Sequence, residues 1–183
     1  MNWFERIKQR LSYLKVQQLE RSSRPHRDFV DIERAHKVGL ILNAGSCTAD
    51  EMRTFRQYME DLKRQRKQVY VVEINFNKKS ESQFSHSAES VFLNPARLNW
   101  LDFPRQDAEI QIRNLELDVL IDLDPSDRMT SRYVCSLSKA RTRAGRHREG
   151  LESCYELMID GKNPLGIPRM IETYTHFLSM IEK

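Results

Sequence analysis

Asp122, Asp124 and Asp127 close an apolar run, near enough in sequence for their carboxylates to hold a hard cation such as Mg²⁺ through oxygen ligands. The same spacing has a structural use. Asp124 as N-cap, Pro125 in the first turn and Asp127 at the third position form the start signal of a helix. That use absorbs two of the three carboxylates, so no metal site and no cofactor is expected. A second such segment, Asn43-Ala44-Gly45-Ser46-Cys47, ends another apolar run. Ligands of open α/β sheets bind at the carboxyl ends of strands, and helix N-termini attract anions. With one glycine and no phosphate-reading lysine, the segment is neither a dinucleotide fingerprint nor a P-loop. The ligand candidates at strand ends are therefore Asn43, Gly45, Ser46, Asp122 and Asp124. Cys47 precedes a helix start, where the dipole can lower a thiol pKa, but no histidine lies near it in sequence and a structural role is expected. The five histidines, His26, His36, His86, His147 and His176, are dispersed without ligand spacing. No catalytic set emerges.

The elements that would carry these residues alternate between strand and helix. Residues 3–19 read as an amphipathic helix, with Phe4, Ile7, Leu11 and Leu14 at three–four spacing, Trp3 and Leu19 near that stripe, and Lys8, Arg10 and Lys15 off it. Pro25, in a polar basic stretch, breaks the helix, which divides the chain into a basic helix and linker (1–27) and a domain (28–183). Within the domain, 38–42, 69–74, 90–93 and 119–123 read as strands, with 141–147 and 157–159 as shorter ones. Thr48 and Glu51 form a capping box ahead of a helix carrying Met52, Phe55, Met59 and Leu62. Phe84 is expected to tack down the polar loop 75–89. Helices are predicted over 107–115, from Asp124 through Leu137, and over the apolar repeat from Ile167 to Ile181. The β-α-β succession predicts an α/β fold: one Rossmann-like three-layer domain with a mostly parallel sheet, preceded by a basic amphipathic helix.

Charge is segregated along the chain. The net charge is +4, and residues 1–37, with nine basic against five acidic residues, account for all of it. Between Arg128 and Arg148 lie seven basic residues and no acid. No apolar run approaches the ~18–20 residues of a membrane span. The charged start does not read as a secretory signal. Three scattered cysteines suggest no disulfide framework or zinc knuckle, and reduced thiols in the cytoplasm are expected.

Several segments resemble known families. Leu117 to Leu123, then Arg132 to Ala140, then Arg143-Ala144-Gly145-Arg146 resemble the strand, helix and strand of the first domain of heptosyltransferase-like glycosyltransferases. Those enzymes hold their sugar nucleotide largely with a second Rossmann domain. No second one follows in these 183 residues, so transferase activity is not expected. Over most of its length the chain also resembles a family of short, Rossmann-like Bacteroidetes proteins built on a domain of unknown function. The likeness rests on the basic N-terminal helix, Leu98-Asn99-Trp100, Leu120 to Leu123, Leu137 to Ala140 and Leu157 to Asp160. It implies a fold and no activity.

The charge pattern points to a non-enzymatic binding protein that associates through basic surfaces with RNA or a ribonucleoprotein such as the ribosome, because neutralising phosphates releases counterions. The candidate RNA-binding residues are Arg6, Lys8, Arg10, Lys15, Arg21, Arg24 and Arg27 in the N-terminal segment, and Arg132, Lys139, Arg141, Arg143, Arg146 and Arg148 in an Arg-rich edge. Trp3, Tyr13 or Trp100 could stack on bases. No DNA-specific or base-reading motif is present. Two alternatives stand beside this one. The chain could be a single-domain glycosyltransferase-like protein that binds a nucleotide or nucleotide sugar at the carboxyl edge of the sheet. Or residues 3–19 could lie on an anionic membrane surface or pair with a second copy.

Overall fold

The computed structural model describes residues 3–22, 29–84, 89–126, 128–160 and 165–180. Six strands, β1 (Lys37–Asn43), β2 (Gln68–Ile74), β3 (Ser90–Leu93), β4 (Val119–Asp122), β5 (Thr142–Arg146) and β6 (Leu157–Ile159), form one sheet. Their order is β3-β2-β1-β4-β5-β6, and every neighbouring pair is parallel. The chain thus winds outward twice from the centre, and its direction reverses between β1 and β4. This is the doubly wound order of Rossmann folds, and the sheet expected to be mostly parallel is wholly so.

Alternate strand residues feed two cores, as the two-residue period of a strand requires. Leu40, Leu42, Val71 and Ile121 pack beneath α2 (Ala49–Arg64) and α5 (Ile167–Met180), with Phe55, Leu62, Tyr174 and Leu178. Ile41, Val72, Ile74 and Leu120 face the opposite layer of α3 (Gln106–Arg113) and α4 (Met129–Leu137), with Ile112, Val134 and Leu137. The Thr48–Glu51 capping box starts α2 as expected. Phe84 is buried edge-on against Phe55, which pins the loop after β2.

A further helix, α1 (Trp3–Ser22), lies along α4. With the sheet on one side and α1 on the other, α4 is buried from Thr130 to Leu137, including the polar Thr130, Ser131, Arg132 and Ser136. The face that α1 turns inward is not its apolar stripe. Ser12, Val16 and Glu20, spaced four apart, are its buried line.

Two expectations need correction. The helix predicted from Asp124 begins instead at Met129, after an extended Arg128. The Asp124 carboxylate accepts the Ser126 N–H at 2.9 Å, so it closes a local turn rather than capping a helix. The basic stretch 141–147 is not an edge either. It supplies β5, paired with β4 on one side and β6 on the other, so alternate side chains of the strand are driven into the two layers.

Candidate functional site

The five strand-end candidates lie at the carboxyl ends of β1 and β4. Asn43, the last residue of β1, donates from Nδ2 to Ser126 Oγ at 3.1 Å. Its carbonyl accepts from Ser46 Oγ at 2.9 Å and Cys47 Sγ at 3.1 Å. Gly45 packs so closely on Asn75 that a Cβ would lie 2.9 Å from Oδ1. Its role in the turn is close approach of backbone to a neighbour.

Asp122, at the end of β4, is buried; its Oδ1 accepts the Asp124 N–H at 3.0 Å and its Oδ2 accepts the Tyr155 hydroxyl at 2.6 Å. Asp124 is also buried, with Oδ1 taking both the N–H and the hydroxyl of Ser126, while Oδ2 has no hydrogen-bond partner. Burial first, and then the charge of Asp124, pushes Asp122 up to about 6; burial likewise raises Asp124. This network ties β4 to β1 and to the loop before β6. Among the described residues no group of three or more His, Cys, Asp or Glu side chains gathers as a metal cluster would. Asp127, His26 and His86 lie outside the described residues.

The surroundings of Cys47 disfavour its thiolate. Burial, then the charges of Glu51 and Asp124, pushes it up to about 12, which outweighs any help from the start of α2.

On the α4 side of this edge lies a cleft of about 520 Å³. Lys8 and Ser12 of α1 form one wall; Asp102, Arg128, Thr130 and Arg148 contribute from three other segments. Lys8 bonds Asp102 at 2.7 Å. The Arg128 guanidinium rests 4.2 Å from the centre of the Phe76 ring, a cation–π contact that holds it in place.

The basic residues of the N-terminal segment and of the Arg-rich edge are not all on the surface. Arg132 and Arg143 are buried, so neither presents its guanidinium to a polyanion. Arg143 points from β5 under α1, where it meets Glu20 at 2.9 Å, Glu156 at 3.0 Å and the Ser153 carbonyl at 2.9 Å. Arg146 donates to the Pro125 carbonyl at 3.3 Å, and Arg141 lies 3.8 Å from Asp118. Arg6, Arg10, Lys15, Arg21, Lys139 and Arg141 are exposed. Arg24 and Arg27 lie outside the described residues.

What faces outward on α1 is its apolar stripe. Trp3 is 74% exposed, Phe4 52%, Leu11 40% and Leu14 49%, although a helix packed on a domain normally buries such residues. At 100° per residue, Arg6, Arg10 and Arg21 flank this stripe on one side and Lys15 on the other. The two carboxylates of the helix are on its inner side: Glu5 lines the cleft and Glu20 is buried.

Tyr155, Arg128, Thr130 and Glu20 were not singled out by sequence reasoning as site residues, and Arg143 was named only as a candidate RNA-binding cation. The period Ser12, Val16, Glu20 was a signal in plain view, but a serine and a glutamate do not advertise a packing face. Across residues 8–181 the chain matches a family described as of unknown function, DUF6913. None of the curated proteins matches it.

Proposed function

The chain belongs to the DUF6913 family, and from its geometry we propose that it is a non-enzymatic peripheral protein whose α1 docks on an anionic lipid bilayer. The observation that carries this reading is the orientation of α1: its small and polar line is fixed to the domain, and its apolar stripe is turned outward between cations. An apolar band with Lys and Arg along its borders is the pattern of a helix lying in the plane of a membrane interface. Large apolar side chains gain ~1.5–3 kcal/mol each when fully removed from water, and each Lys or Arg near an anionic surface adds about 1 kcal/mol. Among the described residues no helix is long and apolar enough to cross a membrane, so attachment by α1 would be to one face only. The free thiols of Cys47, Cys135 and Cys154 support the cytoplasmic face.

Charge argues against the other occupants of the stripe. A second copy would set cationic borders against cationic borders, since no carboxylate lies on the outward side of α1. RNA would use Arg6, Arg10, Lys15 and Arg21, and could stack on Trp3, but would leave Leu11 and Leu14 in water. The nucleotide-sugar reading makes no use of the stripe.

Co-sedimentation with phosphatidylglycerol-containing vesicles tests the proposal, with pure phosphatidylcholine vesicles and a polyuridylate arm at the same ionic strength. Pelleting with the anionic vesicles, weakened by salt and lost in Leu11→Glu/Leu14→Glu, supports lipid docking. No pelleting, or pelleting unchanged in that variant, overturns it. Salt-sensitive binding to polyuridylate alone would restore the RNA reading.

A further inference from the structure

We infer that the tight turn at 99–102, with Trp100 at its tip, is a second membrane anchor that meets the anionic bilayer together with the outward stripe of α1. The inference deepens the lipid-docking reading and rests on it.

The residues around Trp100 are committed to holding the turn. Leu98 and Pro104 pair as an antiparallel bridge, and the Asn99 N–H donates to the Phe103 carbonyl at 2.8 Å. The Asp102 N–H closes the turn on the Asn99 carbonyl at 3.0 Å, while the Asn99 side chain accepts from the N–H groups of Leu101 and Phe103. Asp102 completes it with a left-handed backbone, φ 62°, which an aspartate tolerates better than most residues. Leu98 and Phe103 are buried, and Phe103 stacks 4.1 Å from the Tyr133 ring of α4, so the base of the turn is rooted in the core. At the tip of this well-held turn Trp100 is left 58% exposed.

The turn also stands at the border of the α1 stripe. Asp102 bonds Lys8 at 2.7 Å, and Leu101 lines the same cleft as Lys8 and Ser12. Lys8 lies four residues after Phe4 and three before Leu11, spacings that make neighbours on a helix. Trp100 is two residues from Asp102, at most ~7 Å along the backbone. The charges are compatible with a bilayer. Asp102 is paired with Lys8, Asn99 to Leu101 carry no charge, and Glu5, the other carboxylate of the cleft, is on the inner side of α1. Tryptophan is suited to the headgroup level, where its broad apolar face and single N–H donor are both served. RNA fits the tip less well, since a stacking base needs cations tracking its backbone and the tip has none. The chain has two tryptophans, Trp3 on α1 and Trp100 on the turn, and both are exposed. Anchors on two separate segments fix the tilt of the domain, which a single helical stripe would leave free to roll about the helix axis.

The test uses those two residues as reporters. Trp3→Phe and Trp100→Phe each leave one tryptophan, whose emission is read with phosphatidylglycerol-containing vesicles brominated on their acyl chains, with unbrominated vesicles and polyuridylate as parallel arms. Blue-shifted emission and bromine quenching are expected for both reporters. Quenching of Trp3 alone overturns the inference and leaves α1 docking in place; quenching of Trp100 alone, or of neither, overturns both. Trp100 emission that responds to polyuridylate and not to vesicles would assign a base-stacking role and overturn the inference. In the full chain, Trp100→Ser should weaken vesicle binding about tenfold with an unchanged unfolding midpoint, because the indole is not part of the core. Equal affinity of that variant and the parent would also overturn it.

Discussion

Glu20 of α1 and Arg143 of β5 meet at 2.9 Å with both side chains almost wholly removed from water. The pair joins α1 to an interior strand of the sheet formed more than a hundred residues later. Burying two charges is costly, and the arrangement holds because Arg143 also reaches Glu156 and two backbone carbonyls, those of Ser153 and Cys135. It fixes the rotation of α1 about its own axis, and hence which of its faces is left to solvent.

Removing one member should therefore be expensive. Glu20→Ala takes from the buried guanidinium one of its two carboxylate partners, leaving Glu156 and the two carbonyls, and a loss of about 3 kcal/mol is expected in urea unfolding. Amide exchange in α1 should accelerate more than in α2. Equal protection of the two helices, with unchanged stability, would show that α1 is anchored elsewhere.

Gly145 in β5 lies under the Tyr155 ring, and an added Cβ would overlap three of its carbons. Gly145→Ala must displace Tyr155 and with it the 2.6 Å hydrogen bond to Asp122. Overpacking of this kind costs ~1–3 kcal/mol. Thermal unfolding should show the loss. Tyr155→Phe, which keeps the ring and removes only the hydroxyl, isolates the share due to the hydrogen bond.

The Asp122 carboxyl, raised to about 6 by burial and by Asp124, makes a pH prediction whose sign is unusual for an aspartate. The native state holds the proton more tightly than the unfolded chain, so this contribution to stability is complete below about pH 4 and is lost as pH rises toward 6. The Tyr155 hydroxyl and the nearby positive charge of Arg132 oppose the shift without reversing it. Asp122→Asn has no proton to lose. The stability of the parent relative to that variant should fall between pH 4 and pH 6.5 in urea titrations. A difference that grows with pH would mean that Asp122 is ionised throughout.

Cys47, Cys135 and Cys154 are all pushed up in pKa, burial being the main cause for each. Native protein at pH 7.4 should react with iodoacetamide far more slowly than a free thiol, and all three should label in denaturant. Rapid labelling of Cys47 in the native state would reopen it as a reactive group.

Much of the fold was legible because its signals are local. The runs Val38 to Leu42 and Val119 to Leu123 announce strands buried on both faces, and Thr48 with Glu51 announces a helix start. The site was less legible because its meaning is set by neighbours distant in sequence. Arg143 reads as one more surface cation until β5 is placed between β4 and β6. Asp124 reads as a helix cap until Ser126 is seen to take its oxygen. Nothing local to 124–128 says that the helix waits until Met129.

The rotation of α1 can be tested without any ligand. If Ser12, Val16 and Glu20 form the inner line, Val16→Ala removes two methyl groups from a fully buried position. It should cost ~1–2 kcal/mol, as the loss of about 0.8 kcal/mol per buried methylene-sized group implies. Leu11→Ser and Leu14→Ser alter side chains that are already 40% and 49% exposed. Each should change stability by no more than about 0.5 kcal/mol, the range for surface positions, while making the protein more soluble. The opposite ranking, costly leucines and a tolerant valine, is what the amphipathic pattern alone would suggest. It would mean that α1 turns its apolar stripe inward in solution, and the docking face proposed for it would then not exist.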